Sequence, residues 1–214
     1  MELKNIKANF LGDSITEGVG TSDWDNKPFH QLIAKKYGME IARNYGIGGT
    51  RFAAQHTPSE KPRWDLNFCS RVAEMDDDAS LVVVFGGTND FGHGDAPMGS
   101  FEDRTPETFF GACHYLMNAL INKFPEARIV FMTPIHRATE DVKNVNGLTL
   151  SCYIDTIKKV AEYYAIPVLD LWSVSGIQPR VDILKEKYCP DGLHPNDAGH
   201  ERMAAVIGAY LENL

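Results

Sequence analysis

Five short apolar runs, each closed by turn residues, constrain this chain more than anything else in it. They are "IKANFLG" (6–12), "MEIARNYG" (39–46), "SLVVVFGG" (80–87), "ARIVFMTP" (127–134) and "IPVLDL" (166–171). Runs this short, with β-branched residues, read as strands buried in a sheet. Helical segments lie between and after them. "DNKPFHQLIAKKYG" spaces Phe29, Leu32, Ile33 and Tyr37 along a helix and stops at Gly38. "TPETFFGACHYLMNALINKFP" offers Thr105 as N-cap, Pro106 at the first helical position and Pro125 as the stop. "TLSCYIDTIKKVAEYYAIP" and "NDAGHERMAAVIGAYLENL" follow as further helices. Strands alternating with helices predict parallel βαβ units and a sheet covered on both faces, an α/β architecture. With 214 residues and no linker or internal repeat, the expectation is one domain over 1–214.

Bulk properties narrow the function classes. The net charge of −8 disfavours non-specific nucleic-acid binding and adhesion to anionic membranes. No run approaches the ~18 apolar residues of a membrane span. Cys69, Cys113, Cys152 and Cys189 form no C-x-x-C pair and read as free thiols in a reducing compartment. "MELKNIKANFLGDS" lacks the apolar stretch of about 7–15 residues that a signal peptide needs. The expected location is cytoplasmic, unless a leader has been removed. A homo-oligomer is left open.

In open parallel sheets, ligands bind outside the carboxyl ends of the strands. Four such places carry unusual residues. After the first strand comes "GDSITEG", with Ser14. A serine there is either a plain helix cap or a nucleophile. "NYGIGGT" follows the second strand, with Gly46, Gly48 and Gly49; "GGTND" follows the third, with Asn89 and Asp90. Beyond the fifth lies "CPDGLHPNDAGH", with Asp191 and His194. Across that tight turn Asp191 can reach His194 Nδ1–H, fix the tautomer and leave Nε2 free to accept a proton. An oxyanion formed by serine attack needs preorganised donors. The backbone N–H groups of Gly49 and Ser14 and the side-chain amide of Asn89 are candidates. Taken singly, each feature has a bland explanation: a turn, an Asx motif, a surface histidine. Together they supply nucleophile, base, orienter and oxyanion donors, all at strand ends.

These four stretches resemble the sequence blocks of the SGNH hydrolase superfamily, the GDSL-type esterases, lipases and acylhydrolases. They span residues 12 to 196, in the family's order, with G-D-S-I in place of G-D-S-L. The resemblance implies a catalytic triad of Ser14, His194 and Asp191, with an oxyanion hole from Ser14, Gly49 and Asn89. It implies a three-layer α/β/α sandwich whose five parallel strands run in flavodoxin-like order 2-1-3-4-5. Strands 1 and 3 would then be neighbours, bringing Ser14 beside Asn89. No cofactor and no metal are expected.

Other residues invite smaller roles. Asp13 and Asp90 are expected to hydrogen-bond loops or charge a helix N-terminus. His93 is either a further substrate contact or a solvated loop histidine. Arg51 fits a surface salt bridge better than an anionic substrate group. His200 has no partner at metal-ligand spacing. "MDDDAS" (75–80) reads as a solvated acidic turn. Two long connections, 88–106 and 134–149, exceed the usual loop length of about 12–15 residues and are expected to wall the substrate pockets.

The favoured function is a serine esterase forming an acyl-enzyme on small-molecule esters with short acyl groups, including acetylated carbohydrates. A lipase or thioesterase for longer chains is the second candidate. A non-catalytic flavodoxin-like module binding phosphate or flavin at the Ser14 turn is the third, and it leaves "DGLHPN" without a purpose.

Overall fold

The computed structural model describes residues 2–214. Five parallel strands form one sheet: β1 (Lys7–Gly12), β2 (Ile41–Gly46), β3 (Leu81–Phe85), β4 (Arg128–Met132) and β5 (Val168–Leu169). Their order is β2-β1-β3-β4-β5. That is the expected order, and it sets Gly12 opposite both Gly46 and Phe85. The helices are α1 (Ser14–Glu17), α2 (Phe29–Tyr37), α3 (Phe68–Arg71), α4 (Thr88–His93), α5 (Phe109–Lys123), α6 (Leu150–Tyr163), α7 (Leu171–Val174), α8 (Asp182–Tyr188) and α9 (Asp197–Glu212).

The alternation of side chains along a strand builds two cores. Val82, Val84, Ile129 and Phe131 pack with α3, α5 and α6 on one face. Leu81, Val83, Phe85, Val130 and Met132 pack with α2 and α9 on the other. The central strand β3 is buried at all five positions, so it feeds both cores and forms the middle layer of an α/β/α sandwich.

Two boundaries differ from expectation. The long helix α5 is capped by Thr108, whose side chain accepts from Gly111 N, and not by Thr105. The chain at 105–107 is drawn aside instead, with Ala54 N donating to the Pro106 carbonyl at 2.8 Å. The fifth strand shrinks to two residues at the sheet edge, paired only with Phe131 and Met132. Beyond it, Asp170 accepts from Thr133 Oγ1 at 2.9 Å and the chain turns into α7. The acidic turn is exposed, but its charges are matched: Asp76 and Asp78 meet Arg43 at 3.0 and 2.8 Å, and Asp77 meets Lys123 at 2.9 Å. Among the described residues no helix is long and apolar enough to cross a membrane.

Candidate active site

The chain must leave β1 and enter α1 with almost no connection. Gly12 makes this possible: a Cβ there would lie 2.0 Å from Thr16 Oγ1. Asp13 caps the helix, its Oδ1 accepting from Ile15 N at 3.0 Å. Gly18, at φ +113°, ends the helix after one turn. Ser14 is therefore the first helical residue, 8% exposed, directly above the carboxyl end of the sheet. Asp13 is buried, and desolvation pushes its carboxyl up to about 6 against the opposing pull of the Ile15 amide and the His194 and Arg71 charges. Its expected role as a helix-terminal carboxylate agrees with this geometry.

His194 reaches Ser14 from 180 residues away. The turn before α9 presents it. Gly192 sits at φ +81°, and Asp191 Oδ1 accepts from the amides of Leu193 and His194 at 2.8 and 2.7 Å. The other oxygen, Oδ2, lies 2.7 Å from His194 Nδ1. Burial tends to raise the Asp191 carboxyl; hydrogen bonds from the His194 amide, the His194 ring and the Leu193 amide outweigh it and hold the group below its ordinary value. The carboxylate accepts a hydrogen bond from Nδ1–H, so Nε2 faces Ser14 Oγ as an acceptor, 3.0 Å away. Ser22 fastens the turn from the other side: its amide and hydroxyl donate to Asp197 at 2.8 and 2.6 Å.

The donors expected for an oxyanion gather beside Ser14. Gly49 has φ +80°, and a Cβ on it would come within 2.0 Å of the Trp64 indole. Its N–H meets no acceptor among the described residues. Asn89, on α4, is 5% exposed, and its Nδ2 donates one hydrogen to the Thr50 carbonyl at 3.0 Å. Among the described residues the second hydrogen on that nitrogen meets no acceptor. Asp90 accepts from Phe52 N and Ala53 N at 3.0 Å each, fixing α4 against the loop after β2. Its loop-bonding role is as expected, and desolvation pushes its carboxyl up to about 6.

Several supporting residues carry no signal in the sequence. Glu17 Oε2 accepts from Gly48 N at 2.7 Å, while Oε1 pairs with Arg63 at 2.6 Å. Arg71 is buried and donates to the carbonyls of Tyr45 and Gly12 and to Thr50 Oγ1. It ties together the ends of β1 and β2. These contacts join residues 21 to 59 positions apart in the chain, which local pattern cannot reveal. Only the charged type of Arg71, set among apolar neighbours, hinted at a buried partner.

Two expectations need correction. Arg51 forms no surface salt bridge; it is 2% exposed, pairs with Asp65 at 2.6 Å and also donates to Ser59 Oγ. It anchors the segment after β2 across the site. This places Lys61 and Trp64, with Trp24 from the α1–α2 connection, as walls of a cleft of about 410 Å³ over Ser14, Asn89 and His194. The connection 134–149 does not line this cleft: Pro134–Arg137 pack with Asp13 and Ile15, and Lys143–Val145 line an adjoining hollow that meets the cleft at His93. From 88–106 only Asn89 and His93 line the cleft. His200 lies in the core, its Nδ1 accepting from Phe29 N at 3.1 Å, and burial pushes it down to about 4.

The sequence model of the GDSL-like lipase/acylhydrolase family matches residues 10–202. The chain belongs to this family. As a GDSL-like acylhydrolase it is a hydrolase acting on esters, which removes the non-catalytic flavodoxin-like alternative. It is 26% identical over 206 residues to a GDSL lipase of Mycobacterium tuberculosis (strain ATCC 25618 / H37Rv), covering 94% of this chain and 79% of that one. A crystal structure of a Lactobacillus plantarum protein superposes with a TM-score of 0.85 at 27% identity, over 98% of each chain. Another crystal structure matches with a TM-score of 0.88 at 32% identity, over 100% of this GDSL-like chain and 99% of its own.

Proposed function

We propose that this chain cleaves carboxylic O-acyl esters through an acyl-enzyme on Ser14. The observation that carries the reading is the continuous hydrogen-bonded line from Ser14 Oγ to His194 Nε2 at 3.0 Å and from His194 Nδ1 to Asp191 Oδ2 at 2.7 Å. Ser14 Oγ attacks the carbonyl carbon while Nε2 takes its proton. The carbonyl oxygen becomes an oxyanion, received by the N–H groups of Gly49 and Ser14 and the free N–H of Asn89. Asp191 stabilises the imidazolium that forms. Collapse of the tetrahedral intermediate breaks the bond to the alcohol oxygen, and His194 returns the proton to it. Water then attacks the acyl-serine with the same histidine as base, releasing the acid and restoring Ser14.

The cleft favours short acyl groups and carbohydrate-linked esters over long chains. Its rim carries Glu17, Lys61, Arg63 and His93 beside the two tryptophans. The exposed Trp24 indole suits the apolar side of a sugar ring while charged neighbours suit its hydroxyls.

A fluorophosphonate probe should label Ser14 alone, read by peptide mass spectrometry, because no other serine has His194 beside it. Label at another serine would overturn the assignment. Ser14→Ala should abolish labelling and leave at most the roughly 10³–10⁴-fold catalysis over water that binding and the oxyanion hole can provide. A panel of p-nitrophenyl acyl esters should favour acetyl to butyryl; an octanoyl or longer optimum in kcat/KM would sink the short-chain preference.

A further inference from the structure

His93 lies one helical turn beyond Asn89 on α4, at i and i+4, so the two side chains leave the helix on one face. Both line the cleft over Ser14. What distinguishes His93 is the way its ring is held. Arg51 Nη1 stands 3.1 Å from His93 Nδ1 and 3.3 Å from the His93 carbonyl. The guanidinium itself is buried and clamped by Asp65 and Ser59 Oγ, each 2.6 Å away, and by the Trp64 carbonyl. One face of the imidazole rests on the Trp64 indole, with ring centroids 4.8 Å apart. Trp64 in turn sits over Gly49.

A guanidinium can only donate. Nδ1 must therefore accept, and the one proton of the neutral ring must be on Nε2. Desolvation, then the charges of Arg51 and Arg137, push the imidazole down to about 4 and keep it neutral at ordinary pH. The ring is thus locked in position, in tautomer and in charge. Among the described residues Nε2–H meets no acceptor, whereas Nδ1 and the carbonyl are both engaged by Arg51.

We propose that His93 is a specificity-determining residue: a fixed donor, one helical turn from Asn89, that reads an acceptor oxygen of the substrate. The inference rests on the Ser14 esterase reading and adds the substrate class, an ester carrying an ether, hydroxyl or carbonyl oxygen besides the scissile ester. An acetylated sugar has one in its alcohol half; an oxygenated acyl group has one in the other half. His93 is not needed for the chemical step.

The test pairs oxygenated esters with carbon isosteres. Methyl 6-O-acetylglucopyranoside is set against cyclohexylmethyl acetate, and p-nitrophenyl 3-methoxypropionate against p-nitrophenyl pentanoate. The readout is the ratio of kcat/KM within each pair. His93→Phe keeps an aromatic ring on Trp64 but has no N–H; it should lower the ratio for one pair roughly tenfold, mainly through KM, the effect of one lost hydrogen bond. His93→Gln can accept from Arg51 and still donate, and should hold the ratio within about threefold of wild type. The pair that responds identifies the half of the substrate being read. Equal ratios in His93→Phe and wild type for both pairs would overturn the proposal, as would equal losses in the two variants, which mean packing alone. Nitrogen-15 NMR of the wild-type protein gives a check independent of any variant: Nε2 should carry the proton, and an Nδ1–H tautomer would refute the lock. Failure of fluorophosphonate to label wild-type Ser14 would remove the serine mechanism itself, a result separate from any change in these ratios.

Discussion

Replacing Asp191 by asparagine isolates one hydrogen bond. Asp191 accepts three: two backbone amides on Oδ1 at 2.8 and 2.7 Å, and the imidazole Nδ1–H on Oδ2 at 2.7 Å. In Asp191→Asn the carbonyl oxygen takes over Oδ1, so the turn through Leu193 and His194 survives. The amide nitrogen then replaces Oδ2 and faces Nδ1 as a donor. Two donors cannot share that contact, so the imidazole shifts its proton to Nε2. At 3.0 Å from Ser14 Oγ, Nε2–H can only donate, and the base is gone. Loss of the correct tautomer typically costs about 10⁴ in kcat, equivalent to about 5.5 kcal/mol of transition-state stabilisation. The assay is kcat on p-nitrophenyl acetate from pH 6 to 9, with a thermal melt beside it. The melt should stay close to wild type, whereas Asp191→Ala removes all three bonds and should lower it. A loss below tenfold, or full recovery at high pH, would refute the tautomer argument and leave Asp191 as a charge alone.

Asn89→Ala should lower kcat by about 10²–10³ with little change in KM, because the oxyanion exists only along the reaction path; a rise in KM at constant kcat would make Asn89 a ground-state binder. Gly49→Ala must hold φ +80° with a Cβ 2.0 Å from the Trp64 indole. It should cost about 1–2 kcal/mol from the left-handed backbone alone, more from the overlap, and lower kcat as the donor moves; wild-type urea stability and kcat would contradict both roles. Asp13 stands near 6 in the fold against 3.8 for a free side chain. Between those values the folded chain binds more protons than the unfolded one, so this group's stabilising contribution is full below about pH 4 and is lost as pH rises through 6. Asp13→Asn keeps the cap to Ile15 N and should gain on wild type by roughly 1–3 kcal/mol between pH 4 and 7, measured by urea unfolding; a constant difference across that range would show that Asp13 does not titrate there.

Much of the architecture is local and was legible. The five apolar runs become the five strands because a short β-branched stretch has few ways to hide both faces except inside a parallel sheet. Ser14, Gly49, Asn89, Asp191 and His194 stand out because strand-end turns leave short, polar, glycine-rich signatures in consecutive residues. Asp191 and His194 are three apart, so their contact follows from a single turn. Helix boundaries were less secure: Thr105 and Thr108 are equivalent caps on local grounds, and the choice fell to a long-range bond from Ala54 to the Pro106 carbonyl. The cleft walls were beyond the sequence for the same reason. Arg51 looked like a surface cation, yet its guanidinium is buried against Asp65, Ser59 and His93, and this pulls Trp64 over Gly49. Charge and residue type specify that such a group needs partners; which partners it finds depends on how chain segments far apart are brought together by the sheet. The sequence by itself determined the strand order of chemistry along the chain, and the tertiary structure decided what surrounds it, because burial and long-range pairing are properties of the packed molecule.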